Sequence, residues 1–164
     1  MSKYDFVNKE FIKTNKFVAD VQDETYHQSA NRLIKSDNLP PLPETQRNLL
    51  RQRFANIVII CFDKNMQQME VNCNISESNM RRYLNGLRRI TFYAVVKLCI
   101  GAKVSIETAE EMCKLQGHII DANAYLFDAI FIDALKCHDD IGTFFDTCKE
   151  FGLTEILSKL DTFN

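Results

Sequence analysis

The segment Ser76 to Gly86 (SESNMRRYLNG) holds the densest set of groups able to do chemistry in this chain of 164 residues. Set at about 100° per residue, Met80, Tyr83 and Leu84 fall on one side of a helix, and Ser78, Arg81, Arg82 and Asn85 on the other. One face can anchor in a core. The other offers only hydrogen-bonding side chains, two of them guanidinium. A guanidinium fork matches the O6/N7 edge of guanine, and Ser and Asn can reach base edges or phosphates. The N-terminus of such a helix adds backbone N–H groups that suit a phosphate oxygen, and Ser76 is a residue type that caps one. Arg88 and Arg89 follow where the chain would leave the helix. Contacts there would go to phosphates, which position a protein on a duplex without reading sequence.

These groups need a scaffold, and the pattern supplies one made of short helices. Leu50, Phe54, Ile57, Val58 and Cys61 fall at i, i+4, i+7, i+8 and i+11, the stripe of one buried helix face. Asn65 can cap a short helix, with Gln68 at its third position completing a capping box. Asn74 tolerates the left-handed conformation of a tight turn. The helix opened by Ser76 should end near Asn85, with Gly86 just beyond it. Thr91 opens a helix through Ile100, and Ser105 one that Gly117 closes. Residues 123–136 are apolar almost all round, the mark of an enclosed helix. Asp140 opens an amphipathic helix carrying Ile141, Phe144, Phe145 and Cys148, ended at Gly152. Upstream, helical spacing comes in patches: Tyr4, Val7 and Phe11, then Phe17, Val18 and Val21. All three prolines lie within Pro40 to Pro43, where no helix should cross. The expectation is an all-α fold.

Composition narrows the chemistry. With 46% hydrophobic and 26% charged residues the chain can bury one substantial core. Net charge is −2, but residues 44–104 hold ten basic and four acidic side chains, whereas 105–164 hold four and twelve. Only the middle is expected to face a polyanion. The longest apolar run, Ile57 to Phe62, is far shorter than a membrane span. The start, MSKYDFVNKEF, has no apolar signal region, so a cytoplasmic protein without membrane partners is expected. The six cysteines are never closer than 11 residues, which argues against zinc and leaves most of them as buried free thiols. Five scattered glycines build no phosphate loop. Cys137-His138-Asp139-Asp140 has the residue types of a thiol catalyst, yet it reads better as a helix end followed by an Asp cap. His118 reads as a loop residue. No enzyme, cofactor or metal is expected.

From about Arg53 onward the chain resembles the Cro and phage-repressor family of helix-turn-helix transcription regulators. The landmarks are Asn65 and Met69, the turn Asn74-Ile75-Ser76, Met80 and Tyr83-Leu84, the exit Asn85-Gly86-Leu87-Arg88-Arg89, and Val95, Val96, Leu98 and Val104. The tail is similar to an extension of such regulators, with Leu115-Gln116-Gly117 before an apolar and an amphipathic helix. Residues 1–43 have no counterpart. The resemblance implies a lambda-repressor-like domain over 44–118 and a C-terminal helical pair over 119–164, while the patches of helical spacing upstream make 1–43 an N-terminal helical arm. That pair would either complete the core or form a dimer surface. It implies a homodimeric, sequence-specific regulator of double-stranded DNA, acting as a repressor and reading the major groove with helix 77–85. Base contacts would fall to Glu77, Ser78, Arg81 and Arg82, and backbone contacts to Ser76, Asn85, Arg88 and Arg89. Three positions depart from the pattern: Met66 for a bracing Gln, Glu70 for a small residue, and Asn74 for the turn Gly. Glu70 must reach solvent or a partner such as Arg81 or Arg82. The alternative is a protein-binding module on the same fold, an antitoxin or a phage-encoded inhibitor or adaptor, acting through 1–43 or 119–164.

Overall fold

The computed structural model describes residues 3–17, 42–63 and 65–160, and every regular element among them is helical. In chain order these are α1 (Lys9–Thr14), α2 (Glu44–Phe62), α3 (Met66–Cys73), α4 (Glu77–Leu84), α5 (Phe92–Ala102), α6 (Ile106–Leu115), α7 (Leu126–Cys137), α8 (Ile141–Glu150) and α9 (Thr154–Leu160). Most starts are written in side chains. Asn65, Ser76, Thr91, Ser105 and Asp140 each accept a backbone N–H from three residues on, as their residue types predict. Asn8 does the same for α1, an unforeseen cap. At the end of α4, Gly86 adopts φ +73°, the Leu87 N–H reaches the Arg82 carbonyl at 2.9 Å and the Gly86 N–H reaches Tyr83 at 3.3 Å. This is the Schellman closure that a glycine there makes cheap.

One cap gives a pH prediction. The Asp140 carboxylate accepts the Thr143 N–H at 2.8 Å, and that bond holds its carboxyl below the usual range. Asp140→Ala is expected to cost about 1 kcal/mol near neutrality. Because the folded value is depressed, the contribution is full above the ordinary carboxylate range and fades as pH falls through the folded value. Melting curves of parent and variant should therefore converge in acid.

The core is centred on two helices. Every residue of α5 from Phe92 to Gly101, and of α7 from Leu126 to Leu135, is buried. Phe127, Phe131 and Phe144 pack ring against ring with centroids 6.1–6.3 Å apart. Around α5 stand α2, α3, α6, α7, α8 and α9. One apolar cluster runs from Tyr4 to Leu160, so the described parts of the arm, the middle and the tail share a single core. Residues 3–17 are fastened to it. The Tyr4 hydroxyl donates to Glu110 at 2.8 Å, the Lys136 ammonium donates to the Tyr4 carbonyl at 3.0 Å, and Lys9 pairs with Asp133.

Several expectations need correcting. The buried residues of α2 end on Phe62, and Cys61 is exposed although at 100° per residue it lies on the stripe of Leu50, Phe54 and Ile57, so periodicity alone does not decide burial in the last turn. Phe17 is buried, but with φ +44° it lies beyond α1, so the spacing of Phe17 is not helical; Val18 and Val21 lie outside the described residues. The tail carries three described helices, α7 to α9, and not a pair. The expected apolar helix is too deeply enclosed by α1, α5, α6 and α8 to be a dimer surface: its role is to complete the core.

The cysteines make a simple check. Cys73, Cys99, Cys113 and Cys148 are buried, while Cys61 and Cys137 are exposed. Burial pushes the Cys73 and Cys148 thiols up to about 12, which suppresses the reactive thiolate. A disulfide reagent applied to the native protein is expected to modify Cys61 and Cys137 only, with the other four reacting after denaturation. More than two fast-reacting thiols in the native state would contradict this packing. No helix among the described residues is long and apolar enough to cross a membrane, and none of their side chains cluster to hold a metal ion.

Candidate nucleic-acid interface

The helices α3 and α4 are joined by the three-residue turn Asn74-Ile75-Ser76. Asn74 takes the left-handed conformation at φ +54°, which its residue type tolerates, and the chain turns without a glycine. Ile75 is fully buried beneath the turn. Two further supports come from the core. The Lys97 ammonium donates to the Asn74 carbonyl at 2.8 Å, and Asn74 donates from its amide to the Leu160 carbonyl at 3.4 Å. So α5 and the end of α9 both brace the turn that launches α4.

The start of α4 is held twice. Ser76 Oγ accepts the Asn79 N–H at 3.2 Å, and Glu70 Oε1 accepts the Glu77 N–H at 3.2 Å. Glu70 thus neither intrudes between the motif helices nor pairs with Arg81 or Arg82. A carboxylate at a helix N-terminus is favourable both as an acceptor and against the helix dipole. Glu70 is accommodated on α3 because its side chain reaches across to the next helix.

The two faces of α4 separate as the spacing predicts. Met80 and Tyr83 are buried, and Tyr83 meets the Phe54 ring edge-on with centroids 5.9 Å apart. Ser78, Arg81, Arg82 and Asn85 are exposed. Within the outward set, Glu77 and Arg81 face each other at 2.7 Å, an exposed i,i+4 pair of the kind worth only about 0.3–0.5 kcal/mol. Arg82 has no such partner among the described residues. Asn79, which the spacing left unassigned, is buried, and its Oδ1 accepts the Arg88 guanidinium at 2.8 Å. Arg88 also lies over the Tyr83 ring, 5.7 Å from its centroid. Arg88 is therefore exposed but oriented.

The basic middle is not uniformly available to a polyanion. Arg53 pairs with Glu111 at 3.0 Å across α2 and α6, Lys103 donates to the His138 carbonyl at 2.6 Å, and Lys97 is buried. Lys64 lies outside the described residues. The signal for Lys97 was present in the sequence: it is the single charge in FYAVVKLCIG. His118 does lie in a loop but is buried, its ring 4.1 Å from that of Phe92 and its Nε2 3.4 Å from Asp128 Oδ1. The His138 segment is a left-handed helix end followed by the Asp140 cap, as its spacing suggested.

Compared with models of known protein families, with curated proteins and with solved structures, the chain matches none.

Proposed function

We propose that this chain is a sequence-specific regulator of double-stranded DNA, a repressor of the Cro and phage-repressor type, that lays α4 in the major groove. The observation that carries this is the pairing of opposites on α4: Arg82, Ser78 and Asn85 face outward from a helix whose other side is buried by Met80 and Tyr83. Supporting it, the helix is fixed at its start by Ser76 and Glu70 and at its exit by Gly86, so the backbone that carries the outward side chains needs little ordering on binding. In this reading Ser78 and Arg82 meet base edges, with Glu77 and Arg81 beside them. Ser76, Asn85, Arg88 and Arg89 lie near the backbone. Two copies across an operator would supply the specificity that one short helix lacks, with half-sites about 34 Å apart.

The test is selection of bound sites from random duplexes by the full chain, followed by binding across a salt series. Enrichment of a short motif in inverted repeat is expected. Absence of both enrichment and salt-sensitive duplex binding would overturn the reading. One observation favours the protein-binding alternative: Ile59, Ile60 and Val71 stand exposed on α2 and α3. A stoichiometric protein partner, without salt-sensitive DNA binding, would decide for it.

A further inference from the structure

Between the first turns of α2 and the exit from α4 lies a cleft of about 540 Å³. Arg47 and Arg51 line it from α2, Arg88 and Arg89 line it from the exit, Tyr83 lies between, and Glu44 is the one carboxylate among the described lining residues. Neither Arg47 nor Arg51 belongs to the face of α4 described above.

What distinguishes these arginines is how they are held. Arg51 donates to the amide oxygen of Asn48 at 3.2 Å, and its guanidinium fills the space that a Cβ on Gly86 would need. Arg88 donates to the amide oxygen of Asn79 at 2.8 Å and lies on the Tyr83 ring. Both are oriented by neutral partners, which fix a guanidinium without cancelling its charge. Two residues further along the same helix the arrangement is the opposite: Arg53 is matched with a carboxylate, Glu111. Like charges gathered around one hollow repel each other, and a bound anion reverses the sign of that term. Guanidinium forks suit phosphate oxygens in particular.

We infer that this cleft binds phosphate, with Arg47 and Arg51 gripping it from α2 opposite Arg88. The phosphate comes from the duplex backbone beside α4 or from a free polyphosphate. The duplex source rests on the function proposed above, whereas the chemistry of the cleft does not.

The experiment compares the full-length parent with Arg47→Ala/Arg51→Ala and with Arg47→Lys/Arg51→Lys. Duplex affinity is measured across a salt series, and inorganic tripolyphosphate is titrated calorimetrically. With the duplex as source, the alanine pair lowers the slope of log affinity against log salt by about two units, and the lysine pair retains it. If the parent binds duplex and the alanine pair leaves both the slope and tripolyphosphate binding unchanged, the cleft assignment is overturned while the DNA reading stands; an unchanged slope with tripolyphosphate binding abolished supports the cleft with a free source. If the parent binds no duplex, tripolyphosphate binding that the alanine pair abolishes supports the cleft with a free source. Absence of both kinds of binding overturns it. Circular dichroism melting of each variant separates these outcomes from loss of the fold.

Discussion

Gly101→Ala is expected to destabilise the protein by about 1–3 kcal/mol, whereas Gly142→Ala is expected to be neutral or to add up to about 1 kcal/mol. Both glycines lie within helices, α5 and α8, where alanine is intrinsically the better residue. Their surroundings decide the sign. A Cβ on Gly101 would stand 2.5 Å from the Asn72 carbonyl oxygen and 2.5 Å from Cys73 Sγ. The first is backbone and cannot rotate away, so α3 and α5 must separate. A Cβ on Gly142 would meet nothing nearer than Asp140 Oδ1 at 3.6 Å. The gain in helix propensity is the same in kind at both sites, and only at Gly101 does the clash exceed it. Equal melting temperatures for the two variants would show that α3 does not lie against α5 as described. Because α3 leads into α4, Gly101→Ala should also weaken duplex binding in proportion to the loss of native packing.

Lys97 stands four residues before Gly101, hence on the same face of α5. Together they form the seat of the α3 C-terminus: Gly101 admits its backbone, and Lys97 satisfies its last carbonyl. This is where the charge count along the sequence misleads. It placed Lys97 among the groups available to a polyanion, although a lone lysine in an otherwise apolar helix has to bury its stem and find an acceptor. No local pattern could have named that acceptor, since Asn74 is distant in sequence and only the tertiary fold brings it there.

The same division holds elsewhere. Helix starts and ends were legible because caps act over three or four residues. Asn65, Ser76, Thr91, Ser105 and Asp140 open helices where their residue types predict, and Gly86 closes one. The two faces of α4 were legible because periodicity is also local. What faces what across the core was not. The apolar helix over 123–136 carried one signal compatible with a core or a dimer surface, and only its neighbours α1, α5, α6 and α8 distinguish them. Glu70 illustrates the limit most sharply. Its position within α3 gave no sign that its carboxylate reaches the first N–H of α4. The cleft arginines, Arg47 and Arg51, sat in the basic count without a motif to lift them out, because their counterparts Arg88 and Arg89 lie more than thirty residues on.

Arg82→Ala is expected to lose about 1–3 kcal/mol of discrimination at one base position, roughly 5- to 150-fold, in a duplex recovered by selection. Arg82 is exposed, it has no carboxylate partner among the described residues, and the opposite side of its helix is anchored by Met80 and Tyr83. Arg81, its neighbour, shares its charge with Glu77 at 2.7 Å, so Arg81→Ala should cost less than Arg82→Ala. Lysine is a further control, since an ammonium keeps the charge but cannot make the paired contact to one guanine edge. Arg82→Lys should therefore retain the salt slope while still relaxing the preference at that position. The measurement is competition binding of the parent and the three variants against duplexes changed one base pair at a time. If Arg82→Ala keeps the parent's full ranking of those duplexes, α4 does not read bases through Arg82. The salt series would then show whether the chain grips DNA by its phosphates alone.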